Sequence, residues 1–320
     1  MSAVAGGGAV AWQRRRRARQ SDVITGEWDQ VPRGRWLLPD LDEARLVVPD
    51  RPHSMAEAMA NPGQVPFSRR RACLVSSNAD RIRGERPLSP KASGLRRWLA
   101  LGDSVTFGWG VEDTESWPAQ LEAQLASQGH AVEILNYGVP AQRIDAMAQF
   151  LESVAPRLEL DGVLLAERPE TGVQGYLREL TRGMKPLGDT PLMLMLPPIS
   201  RFDPHGRSAW EREGAELRRG LGARAPVVDL TRELWAAQEG KGVDLQIEGQ
   251  ILHMVDAQGR LIVEASLPQD DLPREIYEAF EDDHSLREGL FLDEGHPDAA
   301  GFGVLCELLA PRIEEAGWLS

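Results

Sequence analysis

From about Leu95 onward, short runs of consecutive apolar residues alternate with segments whose apolar positions recur every three or four residues. The runs "RWLAL" (97–101), "VEIL" (132–135), "GVLLA" (162–166), "PLMLML" (191–196) and "PVVDL" (226–230) are continuous rather than alternating. A strand with one wet face alternates apolar and polar residues, whereas a strand covered on both faces stays apolar throughout, so these five read as buried strands. Helices lie between them. After the first run, Trp117, Leu121 and Leu125 stand four apart, with Ser116 as N-cap, Pro118 in the first turn and Gly129 as the stop. After the second, Ile144, Met147, Leu151, Val154 and Leu158 make one stripe, and Phe302, Leu305, Leu309 and Ile313 mark a closing helix. This alternation predicts an α/β fold, a parallel sheet of about five strands between two helical layers. In open sheets of this kind ligands bind beyond the carboxyl ends of the strands. Ser104 stands just beyond the first of those ends.

Two regions depart from the alternation. Residues 1–94 are rich in Pro, Arg and Gly without a sustained period, and are expected to form a disordered basic tail followed by an extended lead-in over a folded domain at 95–320. Residues 232–290 separate the last strand from the closing helix. Within them "ILHMVDAQGRLIVEA" reads as a β-hairpin around Asp256 to Gly259, and "PQDDLPREIYEAFEDDHSLREG" as an acidic helical piece. An insertion beside the strand ends is expected to act as a lid. No internal repeat is evident.

Composition narrows the function. With 320 residues and 42% hydrophobic content, the chain can bury one sizeable core. Its net charge of −13 is unevenly spread: residues 1–100 hold 18 Lys+Arg against 10 Asp+Glu, and residues 101–320 hold 18 against 39. An acidic body repels nucleic acid and anionic membranes, which argues against either as partner. No segment approaches the roughly 18 consecutive apolar residues of a membrane span. The basic run Arg14 to Arg17 follows its small-residue stretch, the reverse of a secretory signal's order, so the expected location is cytoplasmic. Cys73 and Cys306 fit no metal-ligand spacing and no disulfide framework, and Cys306 falls on the apolar stripe of the closing helix. No metal and no cofactor is expected, and Gly102, Gly108 and Gly110 do not form a phosphate loop because no Lys-Ser/Thr follows.

A serine hydroxyl is a poor nucleophile until a base takes its proton, and that base needs an orienting group. "FLDEGHPDAAGF" supplies both, since Asp293 and His296 stand three apart before the closing helix. Alone, Asp-x-x-His fits a helix cap and a surface histidine equally well. Together with Gly-Asp-Ser after the first strand it points to a catalytic triad of Ser104, His296 and Asp293. Asp103 is expected to anchor the nucleophile turn through backbone amides, and Asn136 to fix the loop near Gly138. Trp109 and Trp117 suit either the core or an acyl pocket, and His205 and His284 lack placed partners.

The segments "LALGDSVTFGWGV", "ILNYGVPA" and "LDEGHPDAAGF", in this order and at these separations, resemble the first, second and last motif blocks of the SGNH (GDSL) hydrolase superfamily of esterases and lipases. "SNADRIRGERPLSP" (77–90) also resembles the Asn-x-x-Gly-φ-Arg-Gly lead-in of some members, where φ is an apolar residue and Arg81 replaces the glycine. The resemblance implies a flavodoxin-like three-layer α/β/α fold, with Ser104 as nucleophile, His296 as base and Asp293 as orienter. It further implies an oxyanion hole made of the Ser104 and Gly138 backbone N–H groups and an asparagine side chain in the third block. That asparagine is missing. The strand "DGVLLA" is followed by "ERPETG", the chain has only Asn61, Asn78 and Asn136, and the family strand laid over this segment brings Glu170 to the asparagine position.

Loss of one oxyanion donor costs about 10²–10³ in turnover, so a hydrolase could survive it. Glu167 and Glu170 near an oxyanion would oppose its charge unless Arg168 turns inward, and the sequence leaves open whether Arg168 faces the site or solvent. The resemblance implies a serine ester hydrolase acting through an acyl-enzyme on a lipid, a small ester or an acylated glycan. O-acyl transfer by the same triad is one alternative, and a non-catalytic descendant that binds a glycan or a protein is the other. The loop at 167–172 discriminates: a donor aimed at Ser104 favours an enzyme, a loop whose charges point away favours binding.

Overall fold

The computed structural model describes residues 24–48, 71–169, 172–198, 206–222, 225–238, 244–248, 251–255, 260–266, 290 and 296–319. The strands, in chain order, are β1 (Thr25–Gly26), β2 (Trp36–Leu37), β3 (Ala44–Val48), β4 (Arg71–Val75), β5 (Arg96–Gly102), β6 (Val132–Gly138), β7 (Gly162–Ala166), β8 (Leu192–Leu196), β9 (Val227–Asp229), β10 (Asp244–Glu248), β11 (Ile251–Val255) and β12 (Leu261–Ser266). The helices are α1 (Ser104–Phe107), α2 (Trp117–Ser127), α3 (Ile144–Ser153), α4 (Val173–Met184), α5 (Gly206–Leu221), α6 (Thr231–Gln238) and α7 (Ala299–Glu315).

The continuous apolar runs are explained by what lies on each side of the sheet. Leu99 and Leu101 of β5, Val163 and Leu165 of β7, and Leu192 and Leu194 of β8 join one core with Ile144, Met147 and Phe150 of α3 and Tyr176 and Leu180 of α4. The alternate residues Trp98 and Ala100, Leu164 and Ala166, and Met193 and Met195 join a second core with Trp117, Leu121 and Leu125 of α2 and Phe302, Leu305 and Leu309 of α7. Successive residues of a strand point to opposite faces, and here both faces are covered, so apolar residues stand at consecutive positions. The result is a three-layer α/β/α architecture. Cys306 lies in the second core, where burial pushes its thiol up and Sγ donates to Trp117 O at 3.2 Å.

The five central strands are all parallel, in the order β6-β5-β7-β8-β9. Counted from β5 this is 2-1-3-4-5, the flavodoxin-like order, whose direction of growth reverses beside the first strand. Gly102 at the end of β5 pairs with Gly138 of β6 on one side and Ala166 of β7 on the other. The three strand ends therefore line up around the position that Ser104 follows.

Within residues 24–94 the described segments pack onto the body. Ile24, Trp36, Leu37, Leu46, Cys73 and Val75 are buried in the same core as α3, and Trp36 stacks on Phe150 at 5.0 Å. The short pairs β1–β2 and β3–β4 are antiparallel. Beyond α6, β10, β11 and β12 make a separate antiparallel sheet; the turn at 256–259 and the acidic segment 268–289 lie outside the described residues. Among the described residues no helix is long and apolar enough to cross a membrane.

Candidate functional site

The turn that carries Ser104 is built from the glycines and carboxylate around it. A Cβ at Gly102 would lie 2.2 Å from both Ala166 O and Thr106 Oγ1, so only glycine lets β5 end against β7 and fold straight into α1. Asp103 caps that helix: its side chain accepts from the Val105 N–H at 2.9 Å, the anchoring role its position implied. Gly138 is held to glycine by the same crowding, because a Cβ there would meet Phe107 N at 2.0 Å. Thus α1 rests directly on the end of β6, and Ser104 is presented above the sheet at the point where strand order reverses.

His296 reaches this point from the far end of the chain. Its Nε2 and Ser104 Oγ stand 2.7 Å apart, although 192 residues separate them. The imidazole is only 4% exposed and lies beside the Trp109 ring, with centroids 6.3 Å apart. Its position is fixed by the start of α7. There Asp298, not Asp293, is the N-cap, accepting from Gly301 N at 2.8 Å, while Asp298 N donates to Leu290 O. Gln120 Nε2 donates to Ala299 O and ties the same corner to α2. The cap-and-surface-histidine account of Asp-x-x-His therefore does not describe this histidine, which is buried against the serine. Asp293 lies outside the described residues.

The Gly138 N–H donates to Asn136 Oδ1 at 2.9 Å, and Asn136 Nδ2 reaches Ser116 Oγ at 3.5 Å. Asn136 thus fixes the second loop, and does so by taking the N–H that the family resemblance assigns to an oxyanion.

The end of β7 is organised differently. Glu167 is 3% exposed and continues the alternation of Val163 and Leu165, which places it on the α4 face of the sheet. There the Tyr176 hydroxyl is buried, has no hydrogen-bond partner among the described residues, and is pushed well above its usual range by burial and by the charges of Glu167 and Asp103. Arg168 is half-buried and turned to the other side of β7 from Ser104. Its Nε donates to Pro197 O, beyond β8, at 3.0 Å, and its Nη2 donates to the same carbonyl. Its charge lowers the carboxyl pKa of Asp229 and Glu213, though burial raises both overall. Glu170, the residue laid over the asparagine position, lies outside the described residues, as do His205 and His284.

Two neighbours of the site had only partial sequence signals. Asp298 was legible as a capping Asp-x-x-Gly immediately before an apolar stripe, and Trp109 as an aromatic in a Gly-Trp-Gly turn close behind the serine. Among the described residues no group of three or more His, Cys, Asp and Glu could hold a metal ion.

No family model matches the sequence, and no curated protein does. Solved structures do match. The lipase/acylhydrolase from Enterococcus faecalis is 16% identical with a TM-score of 0.43, over 69% of this chain and 97% of that one. A GDSL-like lipase from Bacteroides thetaiotaomicron is 12% identical with a TM-score of 0.42, over 72% and 93%. AlinE4, an SGNH-hydrolase family esterase, is 21% identical with a TM-score of 0.34, over 43% and 77%.

Proposed function

We propose that the chain is a serine ester hydrolase of the SGNH type. The observation that carries this reading is the 2.7 Å approach of Ser104 Oγ to the buried His296 Nε2 at the carboxyl end of β5. A serine and a histidine in that contact make a nucleophile and its base. In the proposed reaction His296 accepts the Ser104 proton as Oγ bonds to the ester carbonyl carbon. The tetrahedral intermediate then collapses, the carbon–oxygen bond to the alcohol breaks, and the alcohol leaves with the proton from His296. Water, deprotonated by His296, cleaves the acyl-enzyme and releases the carboxylic acid. Asp293, three residues before the histidine, is the proposed orienter of its other ring nitrogen.

The proposed oxyanion donors are the backbone N–H groups of Ser104 and Gly138. In the resting site the second is satisfied by Asn136, so an oxyanion must share or displace that bond, which predicts modest turnover. The substrate is a carboxylic ester on a small molecule, a lipid or an acylated sugar. Residues 232–290 are the proposed lid. Replacing 245–285 by a Gly/Ser linker should change KM and acyl-length preference together, and unchanged kinetics on short and long esters would remove that role.

Two observations favour a second reading, a non-catalytic descendant that binds a glycan or a protein. Arg168 is turned away from Ser104, and the Gly138 N–H is already bonded. A fluorophosphonate probe decides between the readings, because it reacts only with an activated serine. Labelling of Ser104 that disappears in Ser104→Ala and slows strongly in His296→Ala supports the hydrolase. An unlabelled, folded wild-type protein leaves the binding reading. Release of free acid, as against transfer to an added alcohol, then separates hydrolysis from O-acyl transfer.

A further inference from the structure

Arg83 lies in the lead-in, outside the triad and outside the central sheet, yet its side chain is only 1% exposed. Burying a guanidinium is costly unless its donors are satisfied, and here they are. Nη1 donates to Phe107 O and to Gly108 O, the latter at 2.9 Å; Nη2 donates to Val111 O at 2.6 Å; Nε donates to Asp113 Oδ1 at 2.8 Å. The guanidinium carbon stands 4.3 Å from the centroid of the Phe107 ring. Every one of these partners belongs to the segment that leaves Ser104.

That segment needs an external hold. A helix of one turn, Ser104 to Phe107, cannot sustain itself, and its last carbonyls have no partner within the helix. Arg83 supplies donors to the carbonyls of Phe107 and Gly108, while the N–H groups of Gly108 and Trp109 bond back to Ser104 O at 3.1 and 3.0 Å. Fixing residues 107–111 therefore fixes the main chain of Ser104. It also fixes Trp109, the ring beside His296. The arginine is itself anchored to the scaffold: its N–H donates to Asn136 O on β6, and the second oxygen of Asp113 accepts from Ser76 N. The planar fork of arginine can serve three carbonyls and a carboxylate in different directions at once. A lysine ammonium on a flexible stem cannot reproduce this.

We infer that Arg83 is a positioning residue for the reaction of Ser104, holding the nucleophile turn and the wall beside His296 in register from behind. The inference rests on Ser104 being the nucleophile. Its test reads the rate of fluorophosphonate labelling in the full chain, with thermal unfolding followed in parallel. Arg83→Lys, if folded, should be labelled about 10–100-fold more slowly than wild type, because displacement of a reacting group by an ångström costs that much. With p-nitrophenyl acetate the loss should fall on kcat, with KM nearly unchanged.

Arg83→Ala empties a place that opens onto an adjoining cavity of about 770 Å³. Millimolar guanidinium should therefore restore part of its labelling rate, and methylammonium should not. Folded Arg83→Lys or Arg83→Ala labelled at the wild-type rate overturns the inference. If neither variant folds, Asp113→Asn carries the test: the weakened ion pair should slow labelling about threefold or more, and an unchanged rate overturns the inference equally. A wild-type protein that is not labelled at all fails the hydrolase reading instead, which keeps the two failures apart.

Discussion

The turn at 78–84 departs from the SGNH-like pattern at one residue and the loop that follows β7 does not carry its block at all, and the protein treats the two departures in opposite ways. In the first, the pattern has glycine where this chain has Arg81. Asn78 builds the turn, its side chain accepting from Asp80 N at 2.9 Å and Ile82 N at 3.0 Å and donating to Arg86 O. Arg81 then takes the left-handed backbone conformation, φ 63°, that glycine would occupy without cost. Its side chain offsets the strain by donating to Leu37 O at 2.7 Å and lying 5.2 Å from the centroid of the Trp28 ring. In the second, the resemblance implies an asparagine donor, the chain has no asparagine after Asn136, and the cation Arg168 is turned to Pro197. Backbone strain is a scalar energy of about 1–2 kcal/mol that contacts anywhere on the residue can repay. An oxyanion donor is directional and must be at one point in space, so contacts elsewhere do not replace it.

The comparison can be broken most severely at the serine. Ser104→Ala and His296→Ala should each lower p-nitrophenyl acetate turnover by about 10⁴-fold or to background, and the double variant should be hardly worse, because the two act as a unit. Asp293→Ala should be milder by about tenfold. Retained activity in Ser104→Ala would mean that neither departure bears on chemistry at this site.

Next comes the missing donor. Glu170→Asn should raise turnover about tenfold or more, read as kcat on the same ester. A fall in a protein that stays folded would make the carboxylate a working part, holding an acceptor hydroxyl, and acyl transfer would then displace hydrolysis.

Arg168→Ala sharpens the contrast from the other side. With its guanidinium on the Pro197 carbonyl, turnover should change by less than about twofold while thermal stability falls by about 1–2 kcal/mol, as befits a lost charged hydrogen bond. A large drop in kcat without loss of stability would place the cation at the oxyanion after all.

The smallest effect belongs to the lead-in turn. Arg81→Gly and Arg81→Ala both lose the Leu37 and Trp28 contacts, and differ only in whether the left-handed backbone is strained. The glycine variant should be the more stable by about 1 kcal/mol in chemical denaturation, the reverse of the order in a helix. Equal stabilities would mean that the turn relaxes and that Arg81 was never held there under strain.

What the sequence determined by itself was local. Each of the five apolar runs became a strand of the central sheet, because strands with helices packed on both faces bury side chains at consecutive positions. The turn that carries Ser104 was legible for a similar reason: glycine, a capping carboxylate and a serine at the end of such a strand act within a few residues of one another. Capping at α2 was only half legible. Ser116 occupies the N-cap position, but its hydroxyl donates to Asp113 O instead.

The tertiary structure alone decided what lies across long separations. It brought His296 to Ser104, buried it, and made Asp298 the cap. It sent Arg168 to the far side of β7 and drew Arg83 inward behind the Ser104 turn. A long cationic side chain reads in sequence as a surface residue. Where it ends depends on which carbonyls the folded chain leaves without donors, and those exist only once α1 has been set down on Gly138 beside the end of β5.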